Sequence, residues 1–410
     1  MSRASSSIFV HINRRKLWVS LSYQGFVVAV ALLCLCFVPI SASASARPRQ
    51  QHLTREPPPK LRFSRNGVFK ILQVADMHYA DGRTTPCEDV LPSQVQGCSD
   101  LNTTAFVHRM IEAEKPDFFH WFIVISEFTL KLFACMLGDN IYGFDSKDSA
   151  KSMDAAFAPA IASRIPWAAV LGNHDQEGTL SREGVMKHIV GLNHTLSQFI
   201  LSDMLDGWEL HPAVEITRQF QLSLAMVGLN PQQLWFQRTS AKLRRAYMSP
   251  PMAQKSSAPG LAYFHIPLPE VASFDSSNFT GVKQEGIGSA SVNSGFFTTL
   301  VEAGDVKAVF TGHDHINDFC GQLTGIQCYG GGFGYHAYGK AGWSRRSRVV
   351  LASLEKMEGG SWGAVKSIKT WKRLDDQHLT AIDGEVLWSK HSAGTRRRKI
   401  LMALLLDFID

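Results

Sequence analysis

Five stretches of this chain share one form: an apolar, strand-like run that ends at once in metal-ligand side chains. They are residues 71–78 (ILQVADMH), 132–140 (LFACMLGDN), 168–175 (AAVLGNHD), 261–267 (LAYFHIP) and 306–315 (VKAVFTGHDH). Ligands at the carboxyl ends of several strands are where open α/β sheets build their sites. The five runs can meet only if the strands lie side by side with those ends together, which makes an α/β chain the expected fold class. Together the loops offer Asp76, His78, Asp139, Asn173, His174, His265, His313 and His315.

Each piece alone has a plainer explanation. Asp76 and His78 suit a turn, Asn173 and Asp175 suit a turn or a helix cap, and His265 between Phe264 and Ile266 suits a packed core. Gly138-Asp139 also marks turns more often than metals. The conjunction outweighs these readings, because one chain repeats the pattern five times. Two cations a few ångströms apart repel each other, so a site for both needs an anionic oxygen between them, and Asp139 is the expected shared ligand. Such a pair can clamp the attacking and leaving oxygens of a phosphoryl transfer. Mixed imidazole and carboxylate ligation suits first-row metals such as Fe, Zn or Mn better than Mg or Ca. His174 follows a ligand directly, and neighbouring loop side chains diverge, so it is placed to face a substrate as acid or charge stabiliser. Asp175 is expected to orient that imidazole.

The formal charge of +6 sits at the ends of the chain. Residues 1–46 carry four basic residues and no acid, and 392–410 add a net two, so 47–391 are formally neutral. A neutral body without a basic stripe argues against nucleic acid as the main partner. Arg14-Arg15-Lys16, the apolar run 26–40 and the small residues 41–46 follow the order of a secretory signal. The apolar run is short for a membrane span of roughly 20 residues, so no stable span is expected after signal removal. Three Asn-x-Ser/Thr sequons, at Asn102, Asn193 and Asn278, fit that route to a secreted or vacuolar destination. Cys87 with Cys98, and Cys320 with Cys328, are close enough to bridge in an oxidising lumen, which leaves Cys135 over.

Residues 47–66 read as a linker, 67–391 as the folded domain, and 392–410 as a basic tail. Helical spacing is expected at 103–113, 148–161, 181–204, 232–245 and 291–303. Alternation predicts antiparallel strands near 348–354, 365–371 and 386–388. The glycine-rich run 330–339, with Tyr335, His336 and Tyr338, suits either a pocket wall or a structural turn.

The order Asp-x-His, Gly-Asp, Gly-Asn-His-Asp, lone His and Gly-His-x-His resembles the calcineurin-like metallophosphoesterases. GDNIYGFD (138–145), GNHDQEG (172–178), YFHIPLPE (263–270) and TGHDHINDFCG (311–321) are similar to plant purple acid phosphatases of the low-molecular-weight type. The resemblance runs from about 69 to 390 and implies a four-layer αββα sandwich of two mixed sheets. It implies one metal on Asp76, His78, Asp139 and His315, and a second on Asp139, Asn173, His265 and His313, as iron paired with zinc, manganese or iron. His174 becomes the acid or transition-state residue. The implied activity is an acid phosphatase that hydrolyses small phosphate monoesters by in-line attack of a metal-bound hydroxide. A phosphodiesterase or nucleotide pyrophosphatase on the same metals is the enzymatic rival. Tyr142 falls at the spacing of the tyrosine that colours purple enzymes, while His78 stands where the larger purple enzymes usually have glycine. Iron ligand and bystander both stay open for Tyr142. Two departures, extra residues at 118–137 and a shortened 212–231, support a third reading, a member of the fold without activity.

Overall fold

In the computed structural model, which describes residues 61–114, 132–197, 231–249, 258–275, 277, 279–329 and 334–390, the first apolar run forms a central strand. All of these residues belong to one unit, Glu56–Asp410. The signal-like segment, Asn278, the basic tail, 118–131 and 212–230 lie outside the described residues. In chain order the elements are β1 (Val68–Val74), α1 (Asp100–Glu114), β2 (Leu132–Leu137), α2 (Ser149–Ala162), β3 (Trp167–Val170), α3 (Arg182–Gly191) and α4 (Pro231–Met248). They continue with β4 (Gly260–Tyr263), α5 (Phe296–Ala303), β5 (Val306–Thr311), β6 (Cys320–Leu323) and β7 (Gly325–Tyr329). The last are β8 (Arg346–Lys356), β9 (Trp362–Leu374) and β10 (Ala381–Ser389).

The strands make two mixed sheets, ordered β10-β9-β8-β1-β2-β3 and β4-β5-β7-β6. β1, β2 and β3 run parallel, as do β4, β5 and β7, while β8–β10 and β6 run antiparallel to their neighbours. The parallel strands read as continuous apolar runs because both of their faces are covered. Val74, Leu137 and Trp167 are fully buried. One core joins the sheets, holding Ala308 and Phe310 of β5 together with Ile71 and Val74 of β1. Phe106, Met110 and Ile111 of α1, spaced for one helical face, enter this core together with Met153 and Phe157 of α2. Each such side chain contributes roughly 1.5–3 kcal/mol by leaving water. A second core covers the other sheet with Phe236 of α4 and Phe296 and Leu300 of α5. The layers are those of the expected αββα sandwich.

Several boundaries differ from expectation. The helix expected over 181–204 ends at Gly191, because Leu192 turns extended and the chain then bridges Trp167 through Thr195. The helix expected from 291 starts at Phe296, since the Asn293 side chain accepts from Gly295 N at 2.9 Å and Gly295 takes φ 75°. Short polar side chains compete with helix in this way. Leu243, expected on the apolar face of α4, is 52% exposed, and Phe236 is buried instead. Residues 61–66, assigned to a linker, are attached: the Phe63 and Phe69 rings lie 5.8 Å apart and Leu61 packs on the core.

Charge also ties the sheets together. Asp318, just before β6, bonds Arg346 (2.8 Å) and Lys372 (3.0 Å) of β8 and β9, and its carbonyl accepts from Arg348 (2.8 Å). All four residues are buried. Cys87 and Cys98 form a disulfide across eleven residues. Cys320 is also disulfide-bonded and stands opposite Cys328 in the β6–β7 ladder. Cys135, in the middle of β2, is a free buried thiol, and burial pushes it up to about 12. Replacing Cys87 and Cys98 by serine is expected to cost about 3 kcal/mol, by the loop-closure entropy of so short a ring. A urea midpoint that does not move would show that the 87–98 loop is already ordered without the bond.

Candidate metal centre

All five loops meet at one place. Asp76 and His78 follow β1, Asp139 follows β2, Asn173 and His174 follow β3, His265 follows β4, and His313 and His315 follow β5. Their donor atoms form three overlapping groups: Asp76, His78 and His315; His78, Asp139 and His174; and Asp139, His265 and His313. Within each group the atoms lie no more than 4.8 Å apart. Asp139 joins the sets, since its Oδ2 is 3.5 Å from His78 Nε2 and 3.1 Å from His265 Nε2. Asn173 Oδ1 lies 3.1 Å from the same His265 nitrogen.

The backbone is bent to bring these side chains inward. Asp76 (φ 50°), His78 (46°), Asp139 (45°) and His313 (74°) all occupy the left-handed region. That conformation costs a non-glycine residue roughly 1–2 kcal/mol, and strain of this kind gathers at functional sites. Gly172 is needed for close approach, because a Cβ there would lie 2.0 Å from Asp139 Oδ1. Gly138 combines φ 85° with a His265 ring that a Cβ would meet at 2.6 Å.

Hydrogen bonds aim the ligand atoms. His265 Nδ1 donates to Leu137 O (2.9 Å) and His315 Nδ1 donates to Tyr338 O (3.0 Å), which turns each Nε2 toward the carboxylates. Asp76 Oδ1 accepts from His313 N and Asp139 Oδ1 from His174 N, both at 2.8 Å. The second oxygen of Asp76 and Nε2 of His78 are buried with no hydrogen-bond partner among the described residues. Orphaned buried groups of this kind cost free energy, and a coordinated cation removes the cost. Burial holds His78 and His315 below the usual histidine range, and burial together with the neighbouring His265 takes His313 down to about 4. These rings are therefore neutral, the form that ligates. Burial would raise Asp139, yet His265 and His78 hold it well below the carboxylate range, so it stays anionic. The residues fit a pair of metal cations.

A family model described as calcineurin-like phosphoesterase matches residues 69–317. The chain belongs to this family. "Probable inactive purple acid phosphatase 29" of Arabidopsis thaliana is 56% identical over 358 residues, covering 80% of this chain and 88% of that protein. "Probable inactive purple acid phosphatase 14" of the same plant is 47% identical over 365 residues, covering 81% and 87%. "Phosphatase DCR2" of Saccharomyces cerevisiae is 31% identical over 346 residues, covering 77% of this chain and 55% of that protein.

In this calcineurin-like phosphoesterase, one role read from the sequence is corrected. Asp175 does not touch His174. It is fully buried and accepts from Gly172 N (2.8 Å), Ile141 N (3.0 Å) and Asn140 Nδ2 (3.1 Å), so it clasps the loop after β2 to the loop after β3. Glu177 holds the imidazole instead, with Oε2 2.6 Å from His174 Nδ1. Tyr142 stacks on His78 with ring centroids 5.3 Å apart, and burial and the nearby Asp145 push its phenol up. Residues 330–333 of the glycine-rich run lie outside the described residues, and 334–339 serve both of the expected purposes. His336 and Tyr338 line the cavity, whereas Tyr335 turns away to bond Asp375 (2.5 Å). Gly334 packs so tightly that a Cβ would lie 1.7 Å from Met77 O. The cavity over the centre holds about 480 Å³. Glu88 and Glu285 also line it, and nothing in their local sequence distinguishes them from surface glutamates.

Proposed function

We propose that this family member hydrolyses small phosphate monoesters at a dinuclear centre. Asp76, His78, Asp139 and His315 would hold one ion, and Asp139, Asn173, His265 and His313 the other. The observation that carries the reading is the single Asp139 oxygen approached by histidines of both groups, His78 and His265. Two first-row cations bound there supply Lewis acidity and a water that ionises near neutral pH. His174 lines the cavity beside this centre and has its Nδ1 tied to Glu177. Its Nε2 would reach the leaving oxygen and donate a proton. An acidic working pH is part of this proposal and comes from the resemblance to acid phosphatases. Glu177 keeps the ring in that orientation.

His174→Ala is expected to lower kcat on p-nitrophenyl phosphate by about 10²–10⁴-fold, and Glu177→Gln by roughly 10-fold. Turnover of the bis-p-nitrophenyl diester above that of the monoester would overturn the monoester reading in favour of a phosphodiesterase. A second reading, metal binding without turnover, is favoured by the printed names of the two Arabidopsis relatives, which call those proteins probable inactive. Two metals per chain with no turnover of either ester would establish it.

The proposal includes a secretory route. The order of residues 1–46 supports it, as does the Cys87–Cys98 disulfide, which suits an oxidising compartment. Among the described residues no helix is long and apolar enough to cross a membrane. A mature protein from its native cells that still begins at Met1 would refute signal removal.

A further inference from the structure

We propose that the outer half of the cavity is a cation subsite, and that the substrate is a phosphate monoester of an ammonium-bearing alcohol. The substrate class rests on the reading of the cavity as a site of phosphate-ester hydrolysis. The floor places the phosphate, because the unpartnered His78 Nε2 and the shared Asp139 lie there. The alcohol must then extend along the walls above.

Those walls carry carboxylates and rings. Among the described residues that line the cavity there is no lysine or arginine, whereas Glu88 and Glu285 both are there. A second phosphate on the substrate would meet these carboxylates here, with no lysine or arginine among the described lining residues to offset them. Glu285 is held in place, its Oε1 accepting from Ile316 N (2.8 Å) and its Oε2 from the Tyr338 hydroxyl (2.9 Å). Glu88 adjoins the Cys87–Cys98 bridge, with Oε1 3.7 Å from His336 Nδ1.

The aromatic side chains are arranged to receive a soft cation. Tyr338 has one face covered by His315, at 3.8 Å between centroids and 19° between planes, and the residue is still 41% exposed. Tyr142 also lines the cavity, stacked on His78 and with its ring at 72° to His336. Aromatic faces combined with nearby carboxylates recognise quaternary ammonium groups. A trimethylammonium or protonated amine two carbons from the ester oxygen would satisfy both features.

The test uses the full chain purified with its metals from a secretory host. It compares phosphocholine with neohexyl phosphate, the isostere in which carbon replaces the charged nitrogen. Phosphocholine is expected to show a kcat/KM higher by about tenfold or more. That ratio is expected to fall several-fold in Glu88→Gln and further in the double variant with Glu285→Gln, where the amide preserves the shape of the wall. Equal kcat/KM for the two esters in the wild type would overturn the subsite, as would ATP turning over faster than phosphocholine. If neither ester is hydrolysed, the hydrolase reading fails and calorimetric binding judges the subsite separately. Phosphocholine binding about tenfold tighter than neohexyl phosphate would support it, and equal Kd values would overturn it.

Discussion

Asp139→Asn is expected to lower the metal content from two ions per chain to one or none, and to reduce turnover by about 10³-fold or more. The substitution preserves shape and removes the charge at the one oxygen that faces both His78 and His265. Two cations held close together then repel without an anion between them, so the loss falls on both sites. Several kcal/mol of transition-state stabilisation come from such ions, and each 1.36 kcal/mol is a factor of ten in rate. Elemental analysis of the purified variant measures the first effect and single-turnover assays the second. Two tightly bound metals retained by the Asp139→Asn variant would show that another group bridges them. The experiment also bears on the stretch before Asp139. β2 is hydrogen-bonded on both sides, to β1 and β3, so a wild-type protein with two metals would show that residues 118–131 leave the centre intact.

The second large effect concerns stability. Asp318→Asn is expected to cost about 3–5 kcal/mol, the usual penalty for stranding buried charge. It would leave Arg346 and Lys372 buried beside a neutral amide, with only Asp383 still bonding Lys372. The pH dependence follows from the direction of the shift. Burial opposes ionisation of Asp318, but Lys372 and Arg346 prevail and hold it below its ordinary value of 3.8. A carboxylate with a depressed folded value contributes stability that is complete above its unfolded value. That stability is lost as pH falls through the folded value. Wild type and Asp318→Asn should therefore differ fully above the ordinary carboxylate value of 3.8 and converge only as pH falls below it, through the depressed folded value. Urea unfolding across that range gives the comparison, and a constant difference down to pH ~2 would show that the network is not what Asp318 contributes. The clamp stays intact in the mildly acidic range where the proposed activity works.

Much of this was legible before any coordinates. Strand-end ligands can be read because burial makes parallel strands uniformly apolar, so Asp76, Asp139 and His313 stand out where each run stops. The face of α1 was legible for a similar reason, since Phe106, Met110 and Ile111 repeat with the helical period and all reach the core. The β6–β7 hairpin was not legible. Its strands are four and five residues long, contain glycines, and turn at a lone Thr324 with φ 43°, so no alternation is long enough to register.

The sequence by itself determined the chemistry available: which imidazoles, carboxylates and amide could reach a metal, and on which strands they ride. Covalent order and burial pattern carry that information locally. Only the tertiary structure decided which neighbour serves which group. Asp175 is adjacent to His174, yet the loop turns it inward onto three donors and offers Glu177 to the imidazole. Glu88 and Glu285 are nearly two hundred positions apart in the chain and line one cavity because different loops converge on the metal centre. Side-chain direction at a loop depends on a few backbone dihedrals, such as the left-handed φ at Asp76, His78, Asp139 and His313. Contacts between the two sheets hold those angles, and no local sequence pattern encodes them.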